Sequence, residues 1–232
     1  MLFRSVFDPA RRTPEFLRRL VAAAEFSYRR YQAMVGPRYG VRWIRNYALA
    51  NEPLSDTGLI GGRGALAAML PELKDLSISE HPFPGYAYAR QFDGMLIEPN
   101  VYLEALLDEV RAAGAIVRVV ELPDRDALRL LPERVLVNCT GLGAKALFGD
   151  EELTPLKGQL TFLLPQPEVQ YAVMQGGLYM FPRSDGILLG GTHEEGVWSL
   201  EPDPAAKERI LSRHKDFFAH FRTCARKDGG PG

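Results

Sequence analysis

The 232-residue chain is poor in cysteine, with only Cys139 and Cys224, and it holds just two tryptophans and four histidines. Two cysteines cannot build a disulfide framework, which argues against a small stapled secreted scaffold. An excess of charge of either sign is also missing: 28 basic side chains face 29 acidic ones, for a net charge of -1. A chain so balanced offers no electrostatic footprint for nucleic acid and no polybasic patch for a membrane surface. No apolar run approaches the ~20 residues of a membrane span. The opening MLFRSVFDPARR lacks the apolar stretch of a signal peptide. A cytoplasmic location is the expectation.

Several catalytic signatures are absent too. No Gly-x-Ser-x-Gly elbow occurs, which argues against an α/β-hydrolase. His81, His193, His214 and His220 show no metal-ligand spacing. Only His214 and His220 share a helical pattern, and their separation points them to different faces rather than to one ion. No metal is expected. The GGRG at 61–64 lacks the Lys and Ser/Thr of a phosphate loop and reads as a flexible loop.

The remaining composition, 46% hydrophobic and 25% charged, is that of a globular chain long enough for one large domain or two small ones. The segment 13–36 reads as a helix with Thr13 at its cap, Pro14 at its first position and Gly36 at its end. Its apolar residues Phe16, Leu20, Ala23, Ala24 and Tyr31 recur at helical spacing, opposite a solvated face of Arg18, Arg19, Arg29 and Arg30. YGVRWIRNYALA, 39–50, reads as a strand, and 51–97 as irregular chain rich in Gly and Pro. YLEALLDEVRAAG, 102–114, is an amphipathic helix. It is followed by the expected strand AIVRVVEL, a polar interval and the expected strand RVLVN, an α/β order. From 157 onward short strands alternate with turn residues, Ser184-Asp185-Gly186 among them, until a helix opens at Asp203-Pro204. The final RTCARKDGGPG has no pattern and reads as a disordered tail over 222–232.

Two stretches invite a chemical reading. In VLVNCTGLGAKALFG, 135–149, an apolar run ends in small residues before a helix, which exposes backbone N–H groups suited to a phosphate or a polar heterocycle. The alternative is a tight turn needed only for packing, and its glycines do not spell the full dinucleotide fingerprint. Cys139 by itself reads as a small buried apolar residue, not a nucleophile. In GGLYMFPRSDGILLGG, alternation puts Tyr179, Phe181 and Arg183 on one face of a strand and Met180 on the other. Tyr179 reads either as a core tyrosine or as a phenol that binds a carboxylate.

VLVNCTGLGAKAL, KGQLTFL and LYMFPRSDGILLGGTHEEGVWSLEPDPAAKERIL stand in the order and spacing of the D-amino-acid oxidase family of flavoproteins, which the chain resembles over roughly 38–220. EPNVYLEALLDEVRAAGA resembles the family's segment before its second adenine-side strand. The resemblance implies a mixed α/β fold. One part is a three-layer FAD-binding domain, assigned to 1–37 and 99–155, and the other is a substrate domain with a large, mostly antiparallel sheet, assigned to 38–98 and 156–221. It implies FAD as cofactor, contacted by Leu122, Cys139, Thr140 and Gly141, with Thr140 on the diphosphate or ribose side. Tyr179 matches the tyrosine that holds the substrate carboxylate.

The implied chemistry is oxidation of a D-amino acid to the imino and then the 2-oxo acid. A hydride passes to the flavin and O2 is reduced to H2O2. The implied partners are a small-molecule substrate and O2, with no nucleic acid and no membrane, and there is room for a homodimer. Neither the family's N-terminal GxGxxG segment nor its C-terminal arginine and glycine-rich segment has a match, so the chain reads as an internal fragment expected to hold FAD poorly alone. Gln175 stands where the family has a second pocket tyrosine. Arg183 and Arg90 are candidates for recognising an acidic substrate, with a plain surface role as the alternative. A glycine or sarcosine oxidase of the same superfamily and a non-catalytic fragment are the competing readings.

Overall fold

Helix α1, Pro14–Gln32, forms where the sequence places it. Thr13 caps it, its Oγ1 accepting from the Phe16 N–H at 3.1 Å, and Pro14 fills the first position, where the missing N–H costs nothing. The computed structural model of the protein describes residues 13–54, 64 and 66–225, with side chains through Ala219. The four arginines of α1 are exposed as expected; of its apolar stripe Phe16, Leu20, Ala24 and Tyr31 are half-buried and Ala23 is exposed. Tyr28 packs edge-on to Trp43 and Tyr31 tilts against Tyr102. The helix ends before Gly36, at Ala33.

The centre is a seven-stranded sheet in the order β2-β3-β1-β6-β7-β8-β5. Its strands are β1 (Val41–Ala50), β2 (Lys74–Ser77), β3 (Tyr88–Ile97), β5 (Thr161–Leu163), β6 (Tyr171–Gln175), β7 (Leu178–Arg183) and β8 (Gly186–Gly190). Every neighbouring pair is antiparallel except β1 with β6, which run parallel in register from Arg45↔Tyr171 to Leu49↔Gln175. β4 (Leu156–Lys157) and β9 (Glu194–Glu195) make a separate ribbon. The large, mostly antiparallel sheet is thus as expected, and so are the strand at 39–50 and the hairpin at 184–186.

β3 was not anticipated. Its sequence, YARQFDGMLI, breaks apolar alternation with Arg90, Gln91, Asp93 and Gly94. The strand holds because it is paired on both sides, to β1 and to β2, and because its charges are answered. Arg45 pairs with Asp93 across the register. Arg90 donates to Asp75 from Nε at 2.6 Å and from Nη2 at 2.9 Å.

One face of the sheet is covered by α4, Pro204–Ala225, which begins as predicted: Asp203 Oδ1 accepts from the Ala205 N–H at 2.9 Å. Ile210, His214 and Phe217 recur at helical spacing and are all buried. Ile210 and Phe217 join Leu49, Leu76, Phe83, Ala89, Val173, Met180, Ile187 and Leu189 in one core. The helix carries on to Ala225, past the start of the expected tail; 226–232 lie outside the described residues, as do 61–63 of the GGRG loop.

Helix α2, Pro99–Ala112, follows β3 directly. Its approach is fixed by Glu98, only 4% exposed, which reaches the tip of the β7–β8 hairpin. Glu98 Oε1 accepts from the Ser184 N–H at 3.1 Å, Oε2 accepts from Ser184 Oγ, and Arg42 Nε lies 3.8 Å away. Beyond α2 two expectations fail. AIVRVVEL and RVLVN are not strands, and Val119 and Val135 are 103% and 81% exposed. An apolar segment becomes a strand only where a neighbour takes up its N–H and C=O groups, and among the described residues nothing pairs with either segment. Both remain irregular, linked by a 3₁₀ turn at Ala127–Leu130, before the short helix α3, Ala144–Phe148.

Replacing Glu98 with alanine removes the acceptor of the Ser184 N–H and hydroxyl and the counter-charge of the half-buried Arg42. It should cost about 1–2 kcal/mol, read as a lower urea midpoint at unchanged m value, with Glu98→Gln costing less.

Candidate functional site

Tyr179 sits in the middle of the sheet and its neighbours follow from register. Arg90, Ala48, Met174, Tyr179 and Gly190 stand directly opposite one another along the row β3-β1-β6-β7-β8. Paired residues share a face. This row therefore lies on the side away from α4, with Phe181 and Arg183, as the alternation predicted; Leu178, Met180 and Pro182 are buried toward the core. The Tyr179 ring leans over Gly190: a Cβ at 190 would fall inside the ring. Glycine is what lets the phenol lie flat across the neighbouring strand. Phe181 packs beside it, centroids 5.6 Å apart. The hydroxyl has no hydrogen-bond partner among the described residues, and burial raises the Tyr179 phenol above its ordinary value. The phenol is neutral at physiological pH, a donor held ready in a half-buried place.

Gln175 belongs to the other face. It pairs with Leu178, and both line a small apolar crevice under α4 together with Val173, Tyr179, Met180, His214 and Phe217. Two residues, Gly176 and Gly177, join β6 to β7, both with positive φ (51° and 84°), as a type I′ hairpin turn requires. In so tight a turn the residue facing Tyr179 is Met174.

The two candidate arginines are engaged. Arg90 is 2% exposed, not a surface residue, and its guanidinium is held bidentate by Asp75. Arg183 grips Asp185 at 2.8 Å and 2.6 Å, donates to Asn100 Oδ1 at 3.1 Å and lies over the Phe162 ring. A planar fork already satisfied by a carboxylate has little left for a substrate.

The turn at 138–141 is locally organised. Asn138 Oδ1 accepts from the Thr140 N–H at 3.1 Å and from Thr140 Oγ1 at 2.8 Å. The N–H groups of Gly141 and Leu142 open the following 3₁₀ turn without partners among the described residues, and the space where a Gly141 Cβ would stand is open. Cys139 is exposed, against the expectation of a buried apolar residue, because no strand covers it. Leu122 is half-buried in irregular chain. The crevice beside Tyr179 includes none of Leu122, Cys139, Thr140 or Gly141. Open N–H donors, an uncrowded glycine and a nearby hydroxyl fit the phosphate and ribose of a nucleotide. Among the described residues no group of three or more His, Cys, Asp or Glu could hold a metal ion.

The reading of the sequence missed His214. Its ring is 3% exposed, with Nδ1 2.8 Å from the Ile210 carbonyl oxygen and Nε2 3.2 Å from that of Tyr179. The signal was present: His214 falls on the inward stripe of Ile210 and Phe217, an unusual place for an imidazole.

Two measurements probe this geometry. Gly190→Ala should displace the phenol, lowering the Tyr179 pKa toward its ordinary value in an ultraviolet titration and costing about 1–3 kcal/mol of stability. Burial also raises Tyr171, with the nearby Tyr47 adding to the shift. Both phenols are thus harder to ionise folded than unfolded. Their contribution is complete below the ordinary phenol value of about 10 and is lost as pH rises through the raised values. The urea midpoint should therefore fall as pH rises beyond about 10, and by less in Tyr171→Phe.

The family model described as FAD dependent oxidoreductase matches residues 4–230. A D-amino-acid oxidase of Streptomyces coelicolor is 36% identical over 169 residues, 69% of this chain and 49% of that protein. A D-aspartate oxidase of Homo sapiens is 34% identical over 136 residues, 56% of this chain and 38% of that protein. This chain thus spans half or less of the length of these curated relatives. Among solved structures, a glycine oxidase from Geobacillus kaustophilus superimposes with a TM-score of 0.65 at 18% identity, over 91% of this chain and 64% of that one. An L-proline dehydrogenase from P. horikoshii gives 0.64 at 15% identity, over 88% and 63%. These last two show the fold alone. With its model matched across nearly the whole sequence, the chain belongs to the FAD-dependent oxidoreductase family that includes the D-amino-acid oxidases.

Proposed function

We propose that the chain is part of an FAD-dependent oxidase that converts a D-amino acid to its imino acid, with O2 reduced to H2O2, and that Tyr179 receives the substrate carboxylate. The observation that carries this reading is the Tyr179 hydroxyl itself: half-buried, neutral, seated over Gly190 and without a protein partner among the described residues. A carboxylate needs a donor, and a phenol supplies one without a competing charge. Met174, directly across the strand pair, is placed to meet what lies beside that carboxylate.

FAD, when bound, supplies the two-electron oxidation. Thr140, the Gly141 and Leu142 N–H groups, Cys139 and Leu122 are the residues of this chain that would hold it. The protein's own task is to hold the substrate by its acid group, keep it oriented and exclude water from the reacting carbon. We assign 38–98 and 156–221 to the substrate domain, and 1–37 and 99–155 to the cofactor side. All seven strands of the main sheet fall in the former ranges, and the turn at 138–141 falls in the latter.

The test is to load the protein with FAD and offer D-alanine, D-aspartate, glycine and sarcosine anaerobically. Flavin absorbance that bleaches with D-amino acids supports the reading, and bleaching only with glycine and sarcosine moves the activity to that substrate class. Tyr179→Phe should raise KM by the equivalent of about 1–3 kcal/mol, with a smaller change in kcat. Unchanged kinetics would return Tyr179 to a packing role.

A further inference from the structure

His214 Nε2 lies 3.2 Å from the Tyr179 carbonyl oxygen, on the α4 side. The imidazole is 3% exposed and stacked on Phe218, and its Nδ1 lies 2.8 Å from the Ile210 carbonyl oxygen, so the one N–H of a neutral ring has two carbonyl acceptors within reach. The next residue back reaches the same hairpin: Arg213 Nη2 donates to the Gly176 carbonyl oxygen at 3.2 Å. One helix turn thus grips both the turn of the β6–β7 hairpin and the backbone of the residue whose phenol projects from the opposite face. A β-strand transmits such a grip directly, because the backbone of one residue sets the direction of its own side chain.

We propose that His214 is a positioning residue for Tyr179. The single ring N–H is placed on Nε2, where it donates to the Tyr179 carbonyl and not to that of Ile210, and holds β7 at the height that lays the phenol over Gly190 with its hydroxyl turned to the substrate carboxylate. The proposal rests on the carboxylate reading of Tyr179. Leucine at 214 fills similar space without a donor, whereas glutamine keeps an N–H on a side chain of similar reach.

The first test needs neither cofactor nor turnover: NMR of the imidazole nitrogens in the intact protein should show a proton on the His214 Nε2. An unprotonated Nε2 overturns the proposal, whatever happens to the variants. The second uses the FAD-loaded protein. His214→Leu should raise KM for a D-amino acid about three- to tenfold, the range of one lost hydrogen bond, with kcat held within about twofold. His214→Gln should recover most of the loss. In a Tyr179→Phe background His214→Leu should add little, because the donor it positions is gone. Equal loss in His214→Gln and His214→Leu, a fall in kcat alone, or full additivity with Tyr179→Phe assigns His214 to core packing and overturns the proposal. A Tyr179→Phe protein with unaltered KM sinks the carboxylate reading and the proposal with it. Failure of the proposal alone leaves the Tyr179→Phe effect intact and removes only its coupling to position 214.

Discussion

The sheet is one sheet because of a single parallel seam. Residues 45–49 of β1 lie beside 171–175 of β6, and this pairing alone joins β2-β3-β1 to β6-β7-β8-β5 within the ladder. A parallel pair cannot be closed by a tight turn, so the chain travels through α2 and the whole 99–155 segment before it returns. What makes the return worthwhile is burial: Leu49 on one side of the seam and Val173, Met180 and Leu189 on the other share the core under α4. A second tie crosses at the far end. Arg42 of β1 donates to the Pro182 carbonyl of β7 and stands near the buried Glu98 that holds Ser184. Remove the seam and neither Tyr179 nor the row it belongs to has a fixed place.

Legibility in the sequence followed the locality of each cause. α1 and the start of α4 were readable because their caps, Thr13-Pro14 and Asp203-Pro204, are made by adjacent residues. The 184–186 hairpin was readable for the same reason. β3 was not, since its charged residues are tolerated only through Asp75 and Arg45, which come from other strands. AIVRVVEL and RVLVN showed the opposite error: their composition suits a strand, but a strand is a relation between two segments, and here the second is missing among the described residues.

The site divides along the same line. The alternation that set Tyr179 and Phe181 on one face could be counted from sequence and holds. The separation of Gln175 from Tyr179 could not, because it depends on the turn spanning only Gly176 and Gly177. One residue more or less there would exchange Gln175 and Met174 between faces. Arg90 looked like a surface charge because nothing nearby in sequence reveals that Asp75 waits on the edge strand. At 138–141 the bend was legible because adjacent residues make it, Asn138 accepting from Thr140, whereas the exposure of Cys139 depends on long-range pairing.

The Gly176–Gly177 connection has a kinetic consequence. A flap needs slack, and two residues pinned between paired strands, with Arg213 grasping the first, have none to give. Any movement of this turn must carry β6 and β7 with it. Under the proposed role of Tyr179, ligand exchange at its face would not be gated by this turn.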